Sequence, residues 1–120
     1  MANSLSISLS LNALIGGQSF PVQQSTNTNP AGSAAMKATQ SIATSATAIP
    51  LDSITQCGYV VIVNMDPTNY VTISFENTAA VTPQIIQTGG FLVLSPASGA
   101  VIYGKANTAA VEIAVLAVSI

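Results

Sequence analysis

The chain opens with a strict alternation between hydroxyl and apolar side chains. Across residues 4–11 every second residue is Leu or Ile, and each residue between them is Ser. Successive side chains of a strand point to opposite faces, so this pattern predicts a β-strand, whereas a helix would scatter the leucines around its axis. Gly16-Gly17 ends the strand. The apolar row consists of Leu5, Ile7, Leu9 and Leu11.

Residues 18–35 have the opposite character. They are rich in Gln, Ser, Thr, Asn, Pro and Gly, and we predict a polar linker loop here. This loop and the preceding residues 1–17, an N-terminal strand or arm, belong to what we predict to be one domain over residues 1–120. The loop would let the arm reach away from the main body.

From residue 36 onward, short apolar or alternating segments follow one another between turn residues. Residues 58–64 form an apolar run typical of a strand buried on both faces, and Gly89-Gly90 permits a tight hairpin turn between two short strands. With the N-terminal strand the count is about eight, which predicts an all-β antiparallel β-sandwich or, as the alternative, a small barrel. The strands predicted in this part are 36–51, 58–64, 70–75, 84–87, 91–94, 101–104 and 110–120.

Composition excludes several classes of function. Only 5% of the residues are charged, and there is no His and no Trp. A surface that contacts phosphates needs several cations, and the chain has two, so we expect no nucleic-acid binding. The scarcity of acid–base groups likewise predicts no enzymatic activity, no cofactor and no metal. With 49% hydrophobic residues and a net charge of −2, the surface must be covered by hydroxyls and amides or by other subunits.

The apolar content does not indicate a membrane protein. No apolar run reaches the roughly 18 residues that a spanning helix needs, and residues 1–17 lack the continuous apolar block of a secretory signal. The single Cys57 allows no disulfide within the chain and is compatible with assembly in a reducing cytoplasm. Since there is no His to activate it, we interpret Cys57 as a small buried hydrophobe.

Two motifs resemble ligand sites but favour structural roles. Residues 99–105 have the spacing GxxxxGK of a phosphate-binding loop, but Ala106 stands where the motif needs Ser or Thr, and its interior has the pattern of a strand. Asn64, Asp66 and Asn69 offer oxygens to a calcium ion, but their spacing is not that of a calcium loop. Turn formation explains these three residues more simply.

The carboxylates are spread along the chain. Asp52, Glu76 and Glu112 are too far apart in sequence to indicate an acid–base pair. Glu112 stands on an otherwise apolar strand. It points to solvent from a sheet edge, or it pairs with Lys105 or Lys37, and both alternatives stay open.

The N-terminal strand is the candidate interaction site, with Leu5, Ile7, Leu9 and Leu11 as its residues. One interpretation is an ordinary sheet strand with one buried face. The other is a strand that docks on the sheet edge of a neighbouring subunit, where backbone pairing provides affinity and the apolar row fixes the register.

The segment CGYVVIVNMDPTNYV at 57–71, followed by GGFLVL at 89–94 and IYGKA at 102–106, resembles small virion proteins of tailed bacteriophages. The resemblance implies a non-enzymatic all-β structural protein: a capsid cement (decoration) protein or, alternatively, a tail, neck or fibre-attachment component. It implies the major capsid protein or other virion subunits as partners, and a place in the virion after assembly in the host cytoplasm. Because shells are symmetric, we also expect a homo-oligomer.

A third hypothesis comes from the sandwich pattern rather than from the resemblance. A β-sandwich is also a common scaffold for carbohydrate-binding or adhesive modules. Sugar sites usually offer aromatic platforms, and a chain with three Tyr and no Trp is poorly equipped for one.

Overall fold

The chain is entirely β in the part that the structure, a computed structural model, describes. That part comprises residues 3–29, 34–51, 54, 57–77, 83–97 and 99–119, with the backbone alone at Thr28 and Cys57. Its strands are β1 (Leu5–Ile15), β2 (Gln18–Thr28), β3 (Ala35–Ile42), β4 (Thr47–Ile49), β5 (Cys57–Asn64), β6 (Val71–Ser74), β7 (Gln84–Ile86), β8 (Phe91–Leu94), β9 (Ile102–Ala106) and β10 (Val111–Ser119). The predicted all-β class is confirmed.

Where the sequence predicted one domain, the chain forms two compact units, residues 1–33 and 34–120. The first unit, called the hairpin here, consists of β1 and β2 paired antiparallel along their whole length, from Leu5 opposite Thr28 to Ile15 opposite Gln18. The prediction of a polar loop over 18–35 is therefore wrong for Gln18–Thr28. Polar side chains do not prevent strand formation, because β1 satisfies the backbone groups of β2.

The second unit, called the body, consists of two four-stranded antiparallel sheets. Their strand orders are β3-β10-β5-β8 and β4-β9-β6-β7. The chain crosses from one sheet to the other at every connection except β6 to β7. Eight antiparallel strands with this connectivity form a jelly roll, a two-sheet β-sandwich. The predicted antiparallel β-sandwich is confirmed.

The core lies between the two sheets and follows the alternation of each strand. In β10, which lies between β3 and β5, the odd-numbered residues are buried and the even-numbered ones face outward. In β5 the even-numbered residues are the buried ones. The buried hydrophobic residues are Ile42, Ile49, Ile54, Val60, Ile62, Val71, Ile73, Ile86, Ile102, Ala106, Val111, Ile113, Val115 and Ala117.

Two predicted strand relationships are wrong in detail. Residues 84–87 and 91–94 do not form a hairpin, because β7 pairs with β6 and β8 pairs with β5. Gly90 does donate its N–H to the Gln87 carbonyl at 2.9 Å, and Gly89 has a φ of 68°. This tight turn connects the two sheets, because β7 belongs to one sheet and β8 to the other.

The predicted strand 36–51 is two strands, β3 and β4, in different sheets. The chain leaves the first sheet after Ile42, and the carbonyl of Ala43 accepts a hydrogen bond from the N–H of Ala106 at 2.9 Å. This division and the additional strand β2 account for the difference between the ten observed strands and the eight predicted.

Candidate interaction surfaces

The hairpin turn is set by glycine. Gly16 and Gly17 have φ angles of 60° and 79°, and a two-residue hairpin loop with positive φ at both positions is the type I′ turn, whose twist matches that of the flanking strands. The turn places Ile15 opposite Gln18 and so fixes the register of the whole hairpin. A one-residue slip would move every leucine of β1 to the other face.

The register gives the hairpin one apolar face and one face that is polar except for Leu14 and Pro21 near the turn. Residues directly opposite each other in an antiparallel pair share a face, so Leu11 stands beside Val22 and Ala13 beside Phe20. The polar face carries the serines of β1. The hairpin face, as the apolar surface is called below, consists of Leu5, Ile7, Leu9, Leu11, Ala13, Ile15, Phe20 and Val22.

The hairpin face has no core beneath it within its unit. Leu5 and Ile7 are half-buried, whereas Leu9 and Leu11 are 46% and 56% exposed. No described side chain of residues 3–29 is buried. The structure therefore brings the four predicted site residues together in one row. Four further members were not predicted. Ala13 and Ile15 continue the same row of β1. Phe20 and Val22 were missed because residues 18–35 were interpreted as a loop, although Gly16-Gly17 is a hairpin signal as strong as Gly89-Gly90.

The hairpin would gain stability if its apolar face were covered. An isolated two-stranded hairpin is marginally stable in water, and full burial of a Leu, Val or Phe side chain contributes about 1.5–3 kcal/mol. Because Leu9, Leu11 and Phe20 are about half exposed, a surface that excludes water from them would gain roughly half of that amount for each side chain. Residues 3–29 contain no ionised side chain, so no buried charge opposes the contact.

A second apolar surface lies on the outside of the β3-β10-β5-β8 sheet. The register places Ala114 beside Val63, and Val63 beside Phe91; the next row consists of Leu116, Val61 and Val93. Phe91 is 62% exposed and Leu116 is 41% exposed. The outer sheet face, as it is called below, consists of Val61, Val63, Phe91, Val93, Ala114 and Leu116.

The expectation that residues 58–64 form a strand buried on both faces is wrong. Val60 and Ile62 point into the core, but Val61 and Val63 are only half-buried. Both sides of β5 therefore carry apolar residues, but only the side that faces the other sheet is fully buried. The opposite sheet is different: its outer side presents Thr72, Tyr103 and Lys105 together with Ile85.

Glu112 is exposed, but not on a sheet edge, because β10 is an interior strand. Its cross-strand neighbour is Ser41, and Lys37 lies opposite Leu116, four residues further along β10. Lys105 belongs to the other sheet. Glu112 therefore points to solvent from the side of the outer sheet face, and neither lysine lies beside it in the register.

The remaining motifs have structural explanations. The last four residues of the GxxxxGK match belong to strand β9, and the turn before this strand contains Gly99 with a φ of 78°. Phosphate binding by this motif requires a loop that leads into a helix. The described residues of this segment form no such loop and helix.

The turn after β5 uses its polar groups internally. The Asn64 side chain is fully buried; its amide donates to the carbonyls of Asn69 and Ile86, and its oxygen accepts from the Asp66 N–H at 2.8 Å. One Asp66 carboxylate oxygen accepts the N–H groups of Thr68 and Asn69 at 2.8 and 2.6 Å. These two backbone hydrogen bonds hold the pKa of Asp66 below its ordinary value of 3.8.

The described residues include no group of three or more His, Cys, Asp or Glu side chains that could hold a metal ion. A cavity of about 410 Å³ in the body is lined by apolar residues and backbone, including Ile49, Leu51, Pro96 and Val101. Asp52 and the side chain of Cys57, two residues considered in the sequence, lie outside the described part.

Within the described residues, no helix has the length and apolar character that crossing a bilayer requires. Comparison of the chain with protein-family models, with curated proteins and with solved structures found no match.

Proposed function

We propose that this chain is a non-enzymatic structural protein of a tailed-bacteriophage particle, and specifically a capsid cement protein that binds the assembled shell through its hairpin face. The observation that carries the proposal is this face. Its apolar side chains are aligned by a full-length register and are left without a core in their own unit.

The partner surface is defined by the chemistry of the hairpin. It must be apolar opposite Leu9, Leu11, Phe20 and Val22, and it should offer a free strand edge, because each hairpin strand has one unpaired side. Strand addition combines backbone hydrogen bonds with pockets for alternate side chains. The major capsid protein, or another virion subunit, would supply both.

The composition supports a role at high copy number. With a net charge of −2 over 120 residues, copies held side by side on a shell repel each other weakly. A protein that binds the assembled shell and not its separated subunits stabilises the shell by mass action. Such stabilisation needs area and shape and no reactive group.

The jelly-roll fold is compatible with the proposal but does not distinguish it from other functions. Viral capsid domains use this fold, but so do lectins and cupins, and one fold carries many functions. The hairpin face and the resemblance of segments within residues 57–106 to phage virion proteins therefore support the proposal more specifically than the fold does.

Binding of the recombinant chain to purified particles that lack it tests the proposal. We expect Leu11→Asp to abolish binding, because a charge would be buried, and the adjacent Ser10→Asp on the polar face to leave binding intact as the matched control.

Cryo-EM should then show the chain on the capsid shell in hundreds of copies. Density at the tail or neck in tens of copies would replace the cement role with the tail alternative. Absence from particles would overturn the proposal.

A further inference from the structure

Two opposite charges, Lys37 and Glu112, flank the outer sheet face. Lys37 and Glu112 are both exposed at its side and are the charged residues among those described on β3, β5, β8 and β10. Their rows are four residues apart along β10, or about 13 Å at 3.3 Å per residue. An ion pair needs nitrogen and oxygen within about 4 Å, so the two do not pair within one copy.

We infer that this face binds a second copy of the chain about a two-fold axis. The axis lies in the plane of the face, perpendicular to the strands, and passes through the row of Thr39, Ala114, Val63 and Phe91. This rotation places β10 over β10 and β3 over β3 of the second copy, each pair running in opposite directions. The Lys37 row of one copy then stands over the Glu112 row of the other.

Two Lys37–Glu112 ion pairs form in this arrangement, one at each end of the contact. Glu112 and Ser41 are cross-strand neighbours, so a lysine that stands over Ser41 reaches the carboxylate beside it. The apolar side chains between the ion pairs meet face to face, as in the interior of a β-sandwich, where sheets pack about 10 Å apart.

The charge pattern is what selects a second copy as the occupant. An isologous contact must be complementary to itself, and one positive and one negative group on opposite sides of a central apolar row satisfy that condition. An unrelated partner would need its own acid and base at the matching positions. A second copy supplies both by symmetry.

The size of the face predicts a weak, reversible dimer. Three strands of eight or nine residues and one of four, about 4.8 Å apart, give a face of at most roughly 19 by 26 Å, or about 500 Å². This is smaller than the roughly 800 Å² that each partner buries in a standard interface. The dimer should therefore dissociate on dilution. This inference does not depend on the hairpin face or on a role in a particle.

A charge-reversal cycle on the full chain, followed by sedimentation equilibrium across a wide concentration range, tests the inference. Lys37→Glu and Glu112→Lys should each weaken dimerisation by roughly tenfold, because each places like charges together at both ends. The double variant should restore the affinity of the original chain. Lys105→Glu, the same charge change on the other sheet, is the matched control and should have no effect.

Hairpin-mediated association is separated by repeating the cycle in a Leu11→Asp background. The dimer and its charge dependence should persist there, since the proposed contact is formed by residues of the body alone. A chain that stays monomeric at all concentrations would overturn the inference. So would single variants that dimerise like the original chain, or a double variant that fails to recover.

Discussion

The hairpin and the body share one sequence feature with different results. In both β1 and β10 the alternate residues on one side of the strand are apolar over most of its length, although in β10 most of the residues between them are apolar as well. In β10 the residues Val111, Ile113 and Ala117 are completely buried, whereas in β1 Leu9 and Leu11 are about half exposed. The difference is the second sheet, which faces β10 inside the body and has no counterpart within the hairpin unit. Alternation determines which residues share a face, but it does not determine what covers that face.

The two units should therefore differ in where their stability comes from. The body encloses its own core and should fold by itself. The hairpin relies on backbone pairing and its glycine turn, which are marginal without a covered face. Mutations in each unit can test whether the body and the hairpin differ in this way.

Truncation of a core residue should strongly destabilise the body. Ile62 is fully buried, so Ile62→Ala removes apolar contacts and leaves a cavity, at a cost of about 2–5 kcal/mol in the free energy of unfolding. Leu9→Ala in the hairpin should change the same quantity by less than about 0.5 kcal/mol. Urea unfolding followed by circular dichroism measures both. Equal losses would show that the hairpin is part of the cooperative unit.

The next largest effect should come from Asn64. Asn64→Ala leaves the carbonyls of Asn69 and Ile86 and the N–H of Asp66 without their partner, and we expect a loss of about 2–3 kcal/mol. Asn12, which bonds to the Ser19 hydroxyl on the exposed hairpin surface, offers the contrast. Asn12→Ala should cost less than about 0.5 kcal/mol in the same unfolding experiment.

The hairpin turn should respond at an intermediate scale. Gly17→Ala forces an L side chain into a φ of 79°, which costs on the order of 1 kcal/mol. Amide exchange in β1 and β2 should speed up, while exchange in the body stays unchanged. Gly16→Asn is the conservative control, because Asn-Gly suits a type I′ turn. If Gly17→Ala left exchange in both strands unaffected, the turn would not be what holds them together.

A smaller effect concerns acid. The N–H groups of Thr68 and Asn69 lower the pKa of Asp66 in the folded chain. The ionised carboxylate therefore stabilises the fold above the ordinary pKa of 3.8, and this stabilisation is lost as the pH falls through the lowered pKa. The original chain should lose stability relative to Asp66→Asn between about pH 5 and pH 3. Urea denaturation of both proteins at several pH values measures this relative loss of stability. If the free energies of unfolding of the two proteins changed equally with pH, the predicted role of Asp66 would be wrong.

Removal of the whole hairpin should have the smallest effect on the body. A chain that begins at residue 34 keeps every strand of both body sheets, and we expect its free energy of unfolding to agree with that of the full chain within about 0.5 kcal/mol. Binding to particles should be lost at the same time. Unfolding of the shortened chain would mean that the body needs the hairpin for its core.

The all-β class followed from period-two patterning, because alternation depends on neighbouring residues alone. The leucines of β1 were identified in the same way. Strand β2 was missed because its residues carry little apolar pattern, and its partner supplies the backbone hydrogen bonds that hold it extended. The turn at Gly89-Gly90 was recognised, but which strands pair across it was not, because pairing depends on sheets formed by residues distant in sequence.

The charge pattern of the outer sheet face shows the same limit. Lys37 and Glu112 lie 75 positions apart in the sequence, and only the β3–β10 register sets their separation on the face. The same holds for Val63 and Phe91, which become neighbours when β5 pairs with β8.

The sequence alone determined that this protein is a β-protein poor in ionised groups, since composition and alternation are properties of the chain itself. Sheet packing in the folded chain determines which apolar faces are enclosed and which stay exposed. A face is buried only when a second sheet packs on it, and that sheet is formed by residues distant in sequence, which a local pattern does not specify.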